Sequence, residues 1–161
     1  MPDTEIDRRV SSFQQSLQVN SSIESVPLVL LRFTQAVDNR LPAEAAKQFA
    51  VDGVFCPPGK EIRGRDTLLA YYTTRLSDPR RTTRHIWSNI EYRLTGEGEA
   101  QLTAALMNYA FEPQVSETHL QLRVGTVNCR CVLESDGRWV FAEHLYVPGL
   151  SAHLPISLPI A

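Results

Sequence analysis

The feature that most limits how this chain can fold is where its strands fall: nearly all the strand character comes after Arg80, and the helical periodicity comes before it. Four long segments, Thr83 to Leu94, Gln101 to Glu112, His119 to Leu133 and Trp139 to Val147, are rich in residues that suit a pleated, half-buried surface. Gly96 to Gly98, Pro113 to Glu117, and Asp136 with Gly137 separate them. Connections this short pair neighbouring strands antiparallel, because a parallel pair needs a crossover of roughly a dozen residues. Helices first and a meander afterwards imply an α+β fold with segregated layers, not a doubly wound parallel sheet.

Upstream, Ile6, Val10, Phe13 and Leu17 fall at helical spacing behind Asp3, which predicts a helix over 4–18. Asn20 to Ser22 break it. Ile23, Val26, Leu30, Phe33 and Val37 line the face of a second helix that ends near Asn39, with Ser21 and Glu24 at capping-box spacing and Pro27 near the first turn. Pro42 opens a short helix over 42–50, and Val51 to Cys56 reads as a strand. Pro57, Pro58 and Gly59 turn the chain into a short return at Glu61 to Arg63, and Gly64 leads into a helix that Asp78 and Pro79 stop. The segment 151–161 is apolar but interrupted by Pro155 and Pro159, so it is expected to pack across its own domain or a neighbour as a non-helical tail. No linker or repeat divides the chain, and one domain over 1–161 is expected.

Charge narrows the partners. Sixteen basic residues stand against 18 acidic ones, and a net charge of -2 gives no field that would draw nucleic acid or an anionic membrane. The longest aliphatic run, Val26 to Leu31, is too short to span a bilayer, and Met1 to Gln18 lacks the basic start and apolar core of a signal peptide. Cys56, Cys129 and Cys131 make an odd count, the latter two on one strand face, which fits reduced thiols and a cytoplasmic location. His119, His144 and His153 have no zinc-like spacing, and there is no glycine-rich phosphate loop, so neither a metal nor a nucleotide cofactor is expected.

Five motifs carry a family resemblance: Phe33 to Asp38 closing the long helix, Phe49 to Phe55, Ile62-Arg63-Gly64-Arg65-Asp66, Arg84 to Ile90, and Gly137 to Phe141. Their order and spacing over roughly residues 23–147 resemble the SnoaL-like branch of the nuclear transport factor 2-like superfamily, near its scytalone dehydratase-like and dioxygenase small-subunit-like members. The resemblance implies a strongly curved, mixed but mostly antiparallel sheet wrapped around N-terminal helices, a cone with an internal pocket. It does not fix the chemistry, because relatives include dehydratases, isomerases, cyclases and noncatalytic modules.

The resemblance selects His85 as pocket-facing and Asp38, at the end of the long helix, as its partner. A carboxylate can fix the tautomer of an imidazole and stabilise its protonated form, which lets the histidine take a proton from carbon or deliver one to a leaving hydroxyl. The same two residues also admit a purely structural role, a strand histidine satisfied by a helix-end carboxylate. Strand parity puts Trp87, Asn89 and Glu91 on the face of His85, and Ile86, Ser88, Ile90 and Tyr92 on the other. Asn108 stands where dehydratase-like relatives often carry a histidine or aspartate, and Phe33 where some present a tyrosine. With Phe55, Tyr72, Trp87 and Phe141, they are expected to line an apolar site, although such aromatics equally suit a plain core. Arg75, Arg80, Arg81 and Arg84 read as a solvated loop beside Asp78, with recognition of an anionic ligand as the alternative.

Ile86, Ile90, Tyr92, Met107, Tyr109 and Phe111 would make the outer sheet face apolar, which implies a homodimer through that face. Three functions follow: a cofactor-independent lyase or isomerase acting on a small apolar or cyclic compound, a noncatalytic ligand-binding or assembly domain, and a structural subunit like those of ring-hydroxylating dioxygenases.

Overall fold

The computed structural model describes residues 25–157. In chain order these form α1 (Leu28–Asp38), α2 (Pro42–Ala46), β1 (Phe49–Cys56), β2 (Ile62–Arg63), α3 (Arg65–Arg75), β3 (Thr82–Gly96), β4 (Glu99–Phe111), β5 (His119–Leu133) and β6 (Trp139–Pro155). The strands make one open sheet in the order β2-β1-β6-β5-β4-β3. β1 and β6 run parallel, and all the other neighbours run antiparallel. This is the α+β architecture expected, with Gly98 and Gly137 supplying the positive φ that the β3–β4 and β5–β6 turns require.

The helix expected over 4–18 lies outside the described residues. α1 starts at Leu28: Ser25 to Pro27 form a turn, and Pro27 takes the N-cap with φ -62°, while the capping pair expected at Ser21 and Glu24 lies outside the described residues. From there Val29, Leu30, Phe33, Ala36 and Val37 are buried against the sheet, meeting Leu102 and Ala104 of β4, Val127 and Cys131 of β5, and Trp139 and Phe141 of β6 in one core. Removing a ring such as Phe33 from a core of this kind costs about 3–5 kcal/mol.

The expected non-helical tail is, as far as Pro155, a strand paired within its own domain. Residues 151–155 continue β6, with Ala152 opposite Leu122 and Leu154 opposite Leu120. β1 reaches β6 only as far as Leu145, so beyond that point β6 is an edge strand, where Pro148 and Pro155 forfeit no bond to a neighbour.

Of the register shifts in the sheet, three bulges decide which way the side chains near the cavity face. In β3, Ser88 pairs with Ala105 and Glu91 with Thr103, so Asn89 and Ile90 together oppose Ala104, and Asn89 takes φ 49°. Simple alternation therefore fails past Ser88. Ile90 turns inward to pack against the core, Tyr92 falls on the inner side opposite Leu102, and Glu91 leaves the face of His85. Of the residues expected to point outward, Ile86 and Met107 are exposed and Tyr109 and Phe111 half-buried. Val147 and Leu150 join them as exposed residues in the rows of β6 paired with Thr126 and Val124. The other two bulges, at Ala142 and Gly149 of β6, matter for the site.

Candidate active site

α1 ends where β3 begins its inward run, and this brings Asp38 to His85. His85 Nδ1 lies 2.7 Å from Asp38 Oδ1, the Thr83 hydroxyl donates to the same oxygen at 2.8 Å, and the His85 backbone N–H donates to Oδ2 at 3.1 Å. Burial would raise the carboxyl's pKa, but the hydrogen bond and charge of His85, helped by Thr83, more than offset this and hold it below its ordinary value. The ionised carboxylate accepts a hydrogen bond from Nδ1–H, which leaves Nε2 as the bare nitrogen when the imidazole is neutral. Trp87 stacks on His85 at 6.3 Å and 20°, fixed in turn by its indole N–H donating to Thr34 Oγ1 at 2.6 Å. Asn108, cross-strand from His85, is buried and donates to the Arg84 carbonyl at 3.3 Å.

His85, Trp87, Asn108, Phe33, Phe55 and Tyr72 all line one cavity of about 360 Å³ between α1, α3 and the concave side of the sheet. Phe141 does not line it: fully buried, this ring packs behind Phe33 at 5.7 Å as part of the core.

The cavity also holds a second histidine that alternation along β6 conceals. Phe141 opposes Cys131 while Glu143 opposes Arg130, so the bulge at Ala142 inverts the parity and turns His144 inward. His144 is buried among Phe33, Phe55 and Phe141, 5.3, 5.3 and 4.9 Å away, and neither ring nitrogen has a hydrogen-bond partner on another described residue. Burial pushes its pKa down to about 4, with His85 adding to the fall, so the ring is neutral at physiological pH. At the Gly149 bulge, Gly125 leaves room for Tyr146: a Cβ there would meet the tyrosine ring at 2.6 Å, and that ring forms part of the cavity wall.

A third side is basic. Arg75, Arg81 and Arg123 line the cavity with Lys60, and Glu112 sits among the three guanidiniums, its Oε1 accepting from Arg75 (2.7 Å) and Arg81 (3.1 Å) and its Oε2 from Arg123 (3.0 Å). Burial would raise the Glu112 carboxyl, but the three arginines outweigh it and hold the group below the ordinary range. The expected solvated loop is thus split: Arg80 and Arg84 are exposed, whereas Arg81 is buried and Arg75 leans into the cavity wall. Cys129 and Cys131 are buried free thiols, and burial pushes Cys131 up to about 12, which leaves it inert. Among the described residues, no three histidine, cysteine or acidic side chains gather as a metal site, and no helix is long and apolar enough to cross a membrane.

Known structures repeat this architecture. A candidate scytalone dehydratase from Novosphingobium aromaticivorans superposes with a TM-score of 0.75 at 19% identity, covering 85% of this chain and 90% of the other. A type 2 hexachlorocyclohexane dehydrochlorinase gives 0.74 at 14% identity over 88% and 93%. A protein from Catenulispora acidiphila in complex with S-DNPA gives 0.65 at 20% identity over 78% and 91%. At these identities they establish the fold alone. No curated protein sequence matches the chain. The model of the SnoaL-like domain matches residues 21–144, most of the chain, and the protein belongs to that family.

Proposed function

We propose that the protein is a cofactor-independent lyase or isomerase that moves a proton on a small cyclic organic compound, with His85 as the acid-base group and Asp38 as the carboxylate that orients it. The observation that carries this reading is the 2.7 Å contact between His85 Nδ1 and Asp38 Oδ1 beside a cavity lined by aromatic rings. Nε2 makes no hydrogen bond to a described residue and can accept a proton from a carbon next to a carbonyl. In a dehydration, the electron pair of that C–H bond forms the double bond, the β-hydroxyl departs with its own pair, and His85 returns the proton to it as water. In an isomerisation, the proton returns to another carbon. The neutral His144 offers an uncharged N–H to the oxygen where negative charge gathers. Two of the similar structures bear the names of elimination enzymes, and a third was solved with S-DNPA bound, which fits a small organic ligand here.

The reading is tested by deuterium exchange of the α-protons of cyclic ketones such as 2-tetralone, followed by NMR in D2O. The protein is expected to accelerate exchange by about 10²–10⁴ over buffer, and H85A to lose the acceleration with its circular dichroism unchanged. Undiminished exchange in H85A would remove the proposal. A noncatalytic ligand-binding role is the second reading, favoured by Asn108 and Phe33 in a wall where proton-carrying groups could stand; recovery of a tight ligand chemically unchanged would support it.

We also propose a cytoplasmic homodimer, joined through the outer sheet face, where Ile86 (52%), Leu150 (58%) and Val147 (43%) stand exposed in contiguous rows. Sedimentation of an Ile86→Asp, Leu150→Asp double variant is expected to give a monomer where the wild type gives a dimer.

A further inference from the structure

The basic wall of the cavity contains a donor that the fold leaves unused. Arg81 is 8% exposed; its Nε and Nη2 donate to Glu112 Oε1 at 3.2 and 3.1 Å, and its buried Nη1 has no hydrogen-bond partner on a described residue. A buried donor without a partner destabilises the fold, and such a group needs an explanation. Glu112, already shared by Arg75, Arg81 and Arg123, makes no hydrogen bond to this nitrogen. Three guanidiniums thus share one carboxylate, with Lys60 as a further cation on the same wall. The Gln121 side chain also takes a hydrogen bond from Arg123, but it is uncharged and leaves the excess in place.

The position of this wall adds a second argument. A neighbouring hollow of about 640 Å³, reaching Pro113 to Val115, shares Lys60, Tyr71, Arg75 and Arg81 with the ring-lined cavity. The cationic groups therefore stand between an apolar compartment and a wider one. Asp78, the other acidic group of the outer hollow, accepts the Arg80 backbone N–H at 2.8 Å and approaches the Arg80 side chain at 3.5 Å.

We propose that this wall is a carboxylate-recognition site, and that the ligand is an organic acid whose ring lies among Phe33, Trp87 and Tyr146 while its carboxylate ion-pairs with Arg81. Glu112 shows that these arginines suit a carboxylate, and one unpartnered guanidinium nitrogen, Nη1 of Arg81, matches a monoanion better than a phosphate with its several charged oxygens. The inference rests on the cavity being a ligand site, as in the proposed function, but not on any turnover there.

Calorimetric titration with 2-naphthoate and its neutral counterpart 2-naphthamide tests it. The wild type is expected to bind naphthoate at least about tenfold tighter, and R81M to lose that preference while its affinity for naphthamide stays within about twofold. H85A keeps the preference, which separates this test from that of the catalytic reading. Equal affinities in the wild type, or a preference that survives in R81M, would overturn the assignment, as would displacement of naphthoate by inorganic phosphate at matching concentration. The wild-type ratio needs no variant to fold; should R81M be unstable, Arg75→Met at the more exposed edge is expected to lower the ratio several-fold, and an unchanged ratio would count against the site.

Discussion

Two histidines face the same cavity from two strands of the sheet, β3 and β6, and their surroundings give them opposite properties. His85 is held by an ionised carboxylate, a threonine-supported helix end and a stacked indole, whereas His144 sits among phenylalanines with no partner for either nitrogen. The first is built to carry a proton, and the second stays neutral until about pH 4. One pocket thus separates proton transfer from uncharged hydrogen bonding by choosing what packs around the same side chain.

The largest expected effect falls on the orienting carboxylate. D38N keeps the shape but offers Nδ1 an amide that can present either its oxygen or its N–H, so the tautomer is no longer fixed; ketone exchange should drop by about 10²–10⁴, with circular dichroism unchanged and a lower melting temperature as the carboxylate's hydrogen bonds weaken. Retention of exchange in D38N would erase the distinction between the two histidines. Next comes the basic wall: E112Q leaves three guanidiniums facing an amide, and thermal unfolding should show a loss of about 3 kcal/mol.

His144 sharpens the contrast through pH. Its folded pKa, about 4, lies below the ordinary 6.5, so the folded protein binds this proton more weakly than the unfolded chain does. Its contribution is present in full above about pH 6.5, declines as pH falls towards 4 and then levels off, a loss of about 3 kcal/mol. Asp38, held below the ordinary carboxylate value, contributes its loss only at still lower pH, as the carboxyl protonates. Urea unfolding of the wild type and H144F at several pH values should show a slope between pH 6.5 and 4 that the variant lacks. The smallest effect is at the β3 bulge: Asn89→Gly, at φ 49°, should change stability by less than about 1 kcal/mol, whereas Asn89→Val should destabilise.

The sequence made the regular parts of this fold readable and hid the irregular ones. Long alternating runs and glycine turns exposed the meander, and the motif around Arg84 to Ile90 singled out His85, because periodicity and motifs are local signals. A bulge inserts one residue with no periodic mark, so extrapolated parity put Asn89 and Glu91 beside His85 and gave no reason to look at His144. Arg81 and Glu112 are 31 residues apart, and nothing local pairs them. The sequence can point a ring such as Phe141 toward the sheet's inner side but cannot tell a cavity lining from the core behind it, where Phe141 lies.

The most direct test is the position of the proton on each ring. Nitrogen-15 spectra of imidazole-labelled protein at about pH 8, above the ordinary histidine value, report the tautomer of each side chain. His85 is expected with its proton on Nδ1 and Nε2 bare, a state that D38N disturbs, and His144 neutral and unchanged down to about pH 5. A His85 ring protonated at Nε2 would place hydrogen where the base needs its lone pair, and would contradict the account.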